Sequence, residues 1–215
     1  MKKHHYLIVD NETTMRGTVA DFGAVVMTRQ GEIVEQFAAM VEGEFGVHPL
    51  FYNPNAEASD FWSAQSAQRR AKGYRVMLAR GDRVIASPAA IVRWLERVRG
   101  QYNPAVTAYN IGFDFGKCQN TGIDLGIFGS RFCLMKAAKA TIGQTEEYAE
   151  FCHARGLITP TGRLSTTADS MARFVAGDDL APEPHTALED ARDYEAVILA
   201  YMLRTLTRKK LLALG

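Results

Sequence analysis

An excess of charge of either sign is the first thing missing: 25 Lys and Arg stand against 24 Asp and Glu in 215 residues, a formal net of +1. A chain so balanced has no global pull toward nucleic acid or a membrane surface, so a polyanion site must be built from local charge and metal. Cysteine is scarce. Cys118, Cys133 and Cys152 have no metal-type spacing, and an odd set of this kind argues for three reduced, buried thiols in a cytoplasmic protein. No apolar run approaches the roughly 18 residues of a membrane span, and the chain enters its first strand too early for a signal peptide. Repeats, linkers and low-complexity segments are absent. What remains is one domain over 1–215, long enough to bury a substantial core.

Hydrophobic pattern then sets the framework. Residues 6–9, Tyr-Leu-Ile-Val, are a bulky run suited to a strand covered on both faces. Residues 1–5 read as a solvated lead-in. Segments 19–27 and 33–41 are rich in β-branched residues, and the short 28–31 between them predicts a hairpin with Gly31 free to take positive φ. A long irregular stretch follows at 42–62, carrying Phe45, His48, Phe51, Tyr52, Phe61 and Trp62. Its rings either pack the loop onto the core or offer a stacking surface to a single-stranded nucleic acid. Helices are predicted at 63–71, 87–100, 110–115, 146–155 and 167–176, with a long final helix over 186–210. Within 87–100, Ser87 caps, Pro88 fits the first turn and Gly100 suits the exit. Short strands are expected at 104–109 and 132–135. The basic trio Arg69, Arg70 and Lys72 is either a solvated face or a track for phosphates. Strand–helix alternation after an opening hairpin makes this an α/β domain with a mixed sheet.

The strand at 6–9 runs straight into Asp10 and Glu12. Residues two apart on a strand point the same way, so two carboxylates meet at one strand end, where they repel and resist desolvation unless a cation joins them. Asp114 follows the strand at 104–109, at the start of a helix, and ligands in open α/β sheets gather at such strand ends. Near the C-terminus, Pro182-Glu183-Pro184 breaks the chain and Thr186-Ala-Leu-Glu189 fits a capping box. That spacing puts His185 and Asp190 in the two positions that meet in a hydrophobic staple, so an imidazole faces a carboxylate. Glu189 is assigned to capping, and Asp193 to a solvated helix face. Asp10, Glu12, Asp114 and Asp190 with His185 form a hard-oxygen set that suits magnesium or manganese rather than structural zinc.

Asp10-Asn-Glu12-Thr13-Thr14, Tyr109-Asn110-Ile-Gly-Phe113-Asp114 and His185-Thr-Ala-Leu-Glu-Asp190 resemble, in order, the three motifs of the DEDDh (DnaQ-like, RNase T-like) 3′-to-5′ exonuclease superfamily. Histidine five residues before the last aspartate marks the histidine branch. The resemblance implies a ribonuclease H-like fold, a mixed five-stranded sheet with its second strand antiparallel, flanked by helices. It also implies a metal-dependent exonuclease that releases nucleoside 5′-monophosphates. Asp10 would bridge two Mg²⁺ ions, with Mn²⁺ able to substitute; Glu12 and Asp190 would complete the first and Asp114 would serve the second. His185 would be the general base. Thr13, Thr14, Met15, Asn110 and Phe113 are the residues expected to hold the terminal nucleotide. The chain departs from the pattern at Met15, where the family usually has glycine, at Asp21 in the second strand, and in the loop 42–62. Single-stranded DNA 3′ ends are the expected substrate. An RNA-trimming enzyme, a non-catalytic strand-binding module and a polymerase or replication partner are the alternatives.

Overall fold

The computed structural model describes residues 4–177 and 179–214. Residues 1–3 of the expected lead-in therefore lie outside the described residues, but His5 does not belong to a lead-in: it opens strand β1, His5–Thr13. The other strands are β2 (Val19–Thr28), β3 (Ile33–Val41), β4 (Val84–Ala86), β5 (Ala105–Ala108) and β6 (Arg131–Cys133). They form one sheet in the order β4-β3-β2-β1-β5-β6. β2 is antiparallel to β1 and β3, while β1–β5, β5–β6 and β3–β4 are parallel. The mixed sheet with an antiparallel second strand is as expected, but it has six strands rather than five. The addition is β4, three residues at the edge beside Ala39–Val41, with Val84 and Ile85 exposed. A strand so short carries no readable periodicity; pairing with β3 alone creates it.

β1 is central and covered on both sides. Tyr6 and Ile8 enter one core cluster and Leu7 and Val9 the other. Helices α2 (Pro88–Tyr102) and α3 (Ile111–Asn120) back the second cluster. The first cluster is covered by α4 (Leu134–Ala140), α5 (Glu146–Ala154), α6 (Ala168–Ala176) and the C-terminal helices. The cap expected at Ser87 forms, whereas Thr186 makes no side-chain cap hydrogen bond at the start of the last helix, so the expected capping box is not closed there. Ser87 accepts from Ala90 N–H, Thr145 from Tyr148 N–H and Thr167 from Ser170 N–H. Gly100, however, does not end α2, which runs on to Asn103 in the left-handed region.

α1 extends from Ala64 to Arg80, well past the predicted 63–71, and stops at Gly81 with φ 81°. The long C-terminal helix is interrupted. α7 (Ala187–Glu189) passes into a π-helical turn, Asp190–Glu195, then into α8 (Ala196–Leu203). The chain breaks there and a separate α9 covers Arg208–Leu214.

One glycine positions the site. Gly23 pairs with Asp10 across the β1–β2 ladder, and a Cβ at Gly23 would lie 2.2 Å from Ala187 C and Leu188 N. Its missing side chain lets the start of the last helix rest on the sheet beside Asp10. Asp21 ties the same corner, accepting from Ala187 N–H at 3.0 Å.

Candidate active site

The sheet end at β1 brings the predicted acids together. Glu12, His185 and Asp190 each offer one ligand atom, and these atoms lie within 4.8 Å of one another. Asp10 and Asp114 line one side of a cleft of about 470 Å³ that also takes in Tyr109, Asn110, Phe113, Glu183 and Glu195. Such a volume suits a small-molecule-sized group such as a nucleotide. Asn11, on the opposite face of β1 from Asp10, donates to Asp114 Oδ1 at 3.1 Å and so holds α3 against the strand end. β1 has an irregularity between Glu12 and Thr13, a device that commonly re-aims side chains next to sites.

His185 sits at φ 55°, in the left-handed region that a non-glycine residue adopts at a cost. Its ring packs 4.4 Å from Phe61 and 5.1 Å from Trp62, centroid to centroid. The Arg70 guanidinium lies 5.0 Å from each of those two rings. Arg70 also approaches Glu12 at 3.6 Å and donates to the Phe51 carbonyl at 2.7 Å. The aromatic loop thus divides into two parts. Phe45 packs edge-on against Tyr74, whereas Phe51, Phe61 and Trp62 remain 36–42% exposed at the rim of the site.

Glu189 is not simply a cap. It pairs with Arg83, which also holds Asp21 through Nε at 3.0 Å, so β2 and the start of the last helix share one buried cation. Asp193 pairs with Arg192 at the surface. The Thr14 amide donates to Thr18 O and the Met15 amide to Pro49 O. The Thr14 hydroxyl is likewise engaged, with that of Thr18. Thr13 is buried; Met15, Asn110 and Phe113 are exposed.

Electrostatically the site is strained toward protonation. Burial first, and neighbouring acids second, push Asp190 up to about 9; burial likewise raises Asp114 to about 7. Glu12 rises to about 8, with burial outweighing the opposing effect of Arg70. Asp10 is raised well above its ordinary value by burial and then by Glu195, Asp114, Asp190 and Glu12. His185 moves the other way, lowered by burial and by Arg70, which keeps it neutral near pH 7. Asp190 Oδ1 and Glu195 Oε2 are buried without hydrogen-bond partners among the described residues. Orphaned carboxylate oxygens in an all-oxygen and imidazole set fit a hard divalent cation.

A pH dependence follows from these shifts. A carboxyl whose pKa is raised on folding stabilises the fold fully below its unfolded value, near 4. That stabilisation is lost as pH rises through the folded values, about 7 for Asp114, 8 for Glu12 and 9 for Asp190. The thermal midpoint in chelator is expected to fall from about pH 4 to about pH 9, with added Mg²⁺ restoring most at the alkaline end. A midpoint that stays level in chelator over this range would contradict the clustering of ionisable acids.

Two further acids went unread in the sequence. Glu183 is hidden between two prolines, and burial pushes it up to about 7. Glu195 lies five residues beyond Asp190, off the expected helical face.

No family model and no curated protein matches the sequence. Among solved structures, E. coli Exonuclease I in complex with a 5cy-dT13 oligonucleotide is similar, with a TM-score of 0.52 and 15% identity. The likeness covers 98% of this chain and 42% of that one, so the chain spans less than half the length of its structural neighbour. Identity this low speaks to architecture alone: the chain has a ribonuclease H-like α/β fold, a mixed sheet flanked by helices, shared with that exonuclease.

Proposed function

We propose that the chain is a single-domain, metal-dependent 3′-to-5′ exonuclease of the DEDDh type, acting on single-stranded DNA ends and releasing nucleoside 5′-monophosphates. The observation that carries this reading is the convergence of Glu12, His185 and Asp190 beside Asp10 and Asp114, from three separate parts of the chain. A pure strand-binding module gains nothing from carboxylates gathered where phosphates must lie.

Asp10, Glu12, Asp114 and Asp190 would hold the divalent cations, with magnesium the natural choice and manganese a substitute. When bound, such ions offset phosphate charge and make water more acidic. The protein's own residues do the rest. His185, held neutral by burial and by Arg70, accepts a proton at a ring nitrogen as water attacks. Asn110 and Phe113 border the cleft beside Asp114 and would hold the last nucleotide. Thr13, Thr14 and Met15, which follow Glu12 on the chain, would complete that grip; Thr13 O accepts from the Phe51 amide and the Met15 amide donates to Pro49 O. The E. coli neighbour was solved with an oligonucleotide, which favours DNA over RNA as substrate.

The deciding experiment is a time course with 3′- and 5′-labelled DNA and RNA oligonucleotides, in Mg²⁺, Mn²⁺ and chelator. Stepwise shortening from the 3′ end of single-stranded DNA, abolished by chelator, is expected. Preferential shortening of RNA would favour the RNA-trimming alternative, and tight binding without any cleavage would favour a strand-binding module. The rim aromatics make a separate prediction. Phe51 touches Trp62 but not His185, and base stacking is worth about 1–3 kcal/mol. Phe51→Ala is therefore expected to raise KM for single strands by roughly five-fold or more with little change in kcat. An unaltered KM would assign these rings to loop packing alone.

A further inference from the structure

The geometry points to Glu195 as a fifth carboxylate of the metal cage, delivered to Asp10 by the π-helical turn. In a regular α-helix, five residues cover about 500°, so Glu195 would point about 140° away from Asp190. The turn Asp190–Glu195 is instead π-helical, and Ala196 N–H donates to Ala191 O, five residues back. An i→i+5 turn winds more residues into each turn than an α-helix does, which swings Glu195 toward the face of the helix that carries Asp190. Both acids then look toward the end of β1.

The environment of Glu195 is that of a ligand without its ion. The residue is 2% exposed, yet it lines the same cleft as Asp10 and Asp114. Its Oε2 has no hydrogen-bond partner among the described residues. Its charge acts on Asp10 together with those of Asp114, Asp190 and Glu12. The Tyr109 main chain donates to the Glu195 carboxylate, but Oε2 is left unmet, and leaving a buried acceptor unmade is costly. A divalent cation between Asp10 and Glu195 satisfies both. π-Turns inside α-helices recur at functional sites for this kind of reason.

The inference rests on the metal-dependent reading above and is tested by metal binding rather than by turnover. Mn²⁺ is titrated into wild-type protein and Glu195→Gln, followed by electron paramagnetic resonance of free Mn²⁺ and by thermal midpoint. Gln keeps the shape and removes the charge. The variant is expected to bind Mn²⁺ at least ten-fold more weakly, while its chelated form melts no lower than wild type. Glu195→Asp, which keeps the charge on a shorter arm, is expected to bind weakly as well. Equal Mn²⁺ affinity in wild type and Glu195→Gln overturns the assignment and leaves the nuclease reading standing. A wild type that binds no Mn²⁺ overturns both. In Mn²⁺-soaked crystals of the wild type, anomalous density is expected in coordination contact with Glu195 Oε2; density confined to Glu12 and Asp190 overturns the assignment even if Glu195→Gln does not fold.

Discussion

Asp10→Asn is expected to cut nucleotide release by at least about a thousand-fold, equivalent to roughly 4 kcal/mol of barrier, without unfolding the protein. Asp10 sits at the point where the other acids meet: Glu195, Asp114, Asp190 and Glu12 all act on its charge. On the metal-dependent reading, removing its carboxylate would take away a cation ligand at the centre of these acids. The fold should not suffer. The ionised form of Asp10 is disfavoured by burial and by four neighbouring acids, so a neutral amide relieves repulsion. The melting midpoint in chelator at alkaline pH is therefore expected to equal or exceed that of wild type. Circular dichroism melts and monophosphate release on the same preparation check both halves. Full activity in Asp10→Asn, or in excess chelator, would end the metal reading.

The largest effect on stability is expected from Arg83→Met. The Arg83 and Asp21 side chains are both fully buried. Arg83 bonds Asp21 from Nε at 3.0 Å and Glu189 from Nη1 at 3.2 Å. Asp21 in turn accepts from the Ala187 amide. Taking the cation away leaves a buried carboxylate uncompensated, a change that costs about 3–5 kcal/mol. For a chain of this size that is a fall in melting midpoint of roughly 6–20 °C. Burial already raises the Asp21 carboxyl despite Arg83, and without the cation it rises further. The variant should thus regain stability on acidification and lose it as pH increases. Combining it with Asp21→Asn should recover much of the loss. A drop below about 1 kcal/mol would mean that water or the main chain already satisfies Asp21.

These two positions contribute differently to the site. Asp10 lines the cleft itself, whereas Arg83 holds the start of the last helix on β2. The same corner depends on Gly23, whose absent Cβ leaves room for the main chain at Ala187 and Leu188. Arg70 adds a protein cation beside Glu12, gripped between Phe61 and Trp62. It offsets a small part of the acidic charge around it, and a divalent ion bound there would have to compete with it for Glu12.

Signals contained within a few residues were legible from the chain alone. The Tyr6–Val9 run reads as a doubly covered strand and is one. The turn before Gly31, with φ 88°, joins β2 and β3 as the hairpin pattern suggests. Ser87 caps its helix because a short hydroxyl side chain satisfies a local amide, but Thr186, with the same local signal, makes no such bond where the last helix meets the sheet. The convergence of Asp10, Glu12, Asp114, His185 and Asp190 could be anticipated because each sits at a strand end or helix start. Strand β4, the buried Asp21–Arg83–Glu189 group, the long α1 and the π-helical turn that returns Glu195 to the cleft had no such local signature. Each depends on which distant surface the segment meets across the sheet. Packing of that kind outweighs propensities worth only tenths of a kcal/mol per residue, and only the assembled fold determines it.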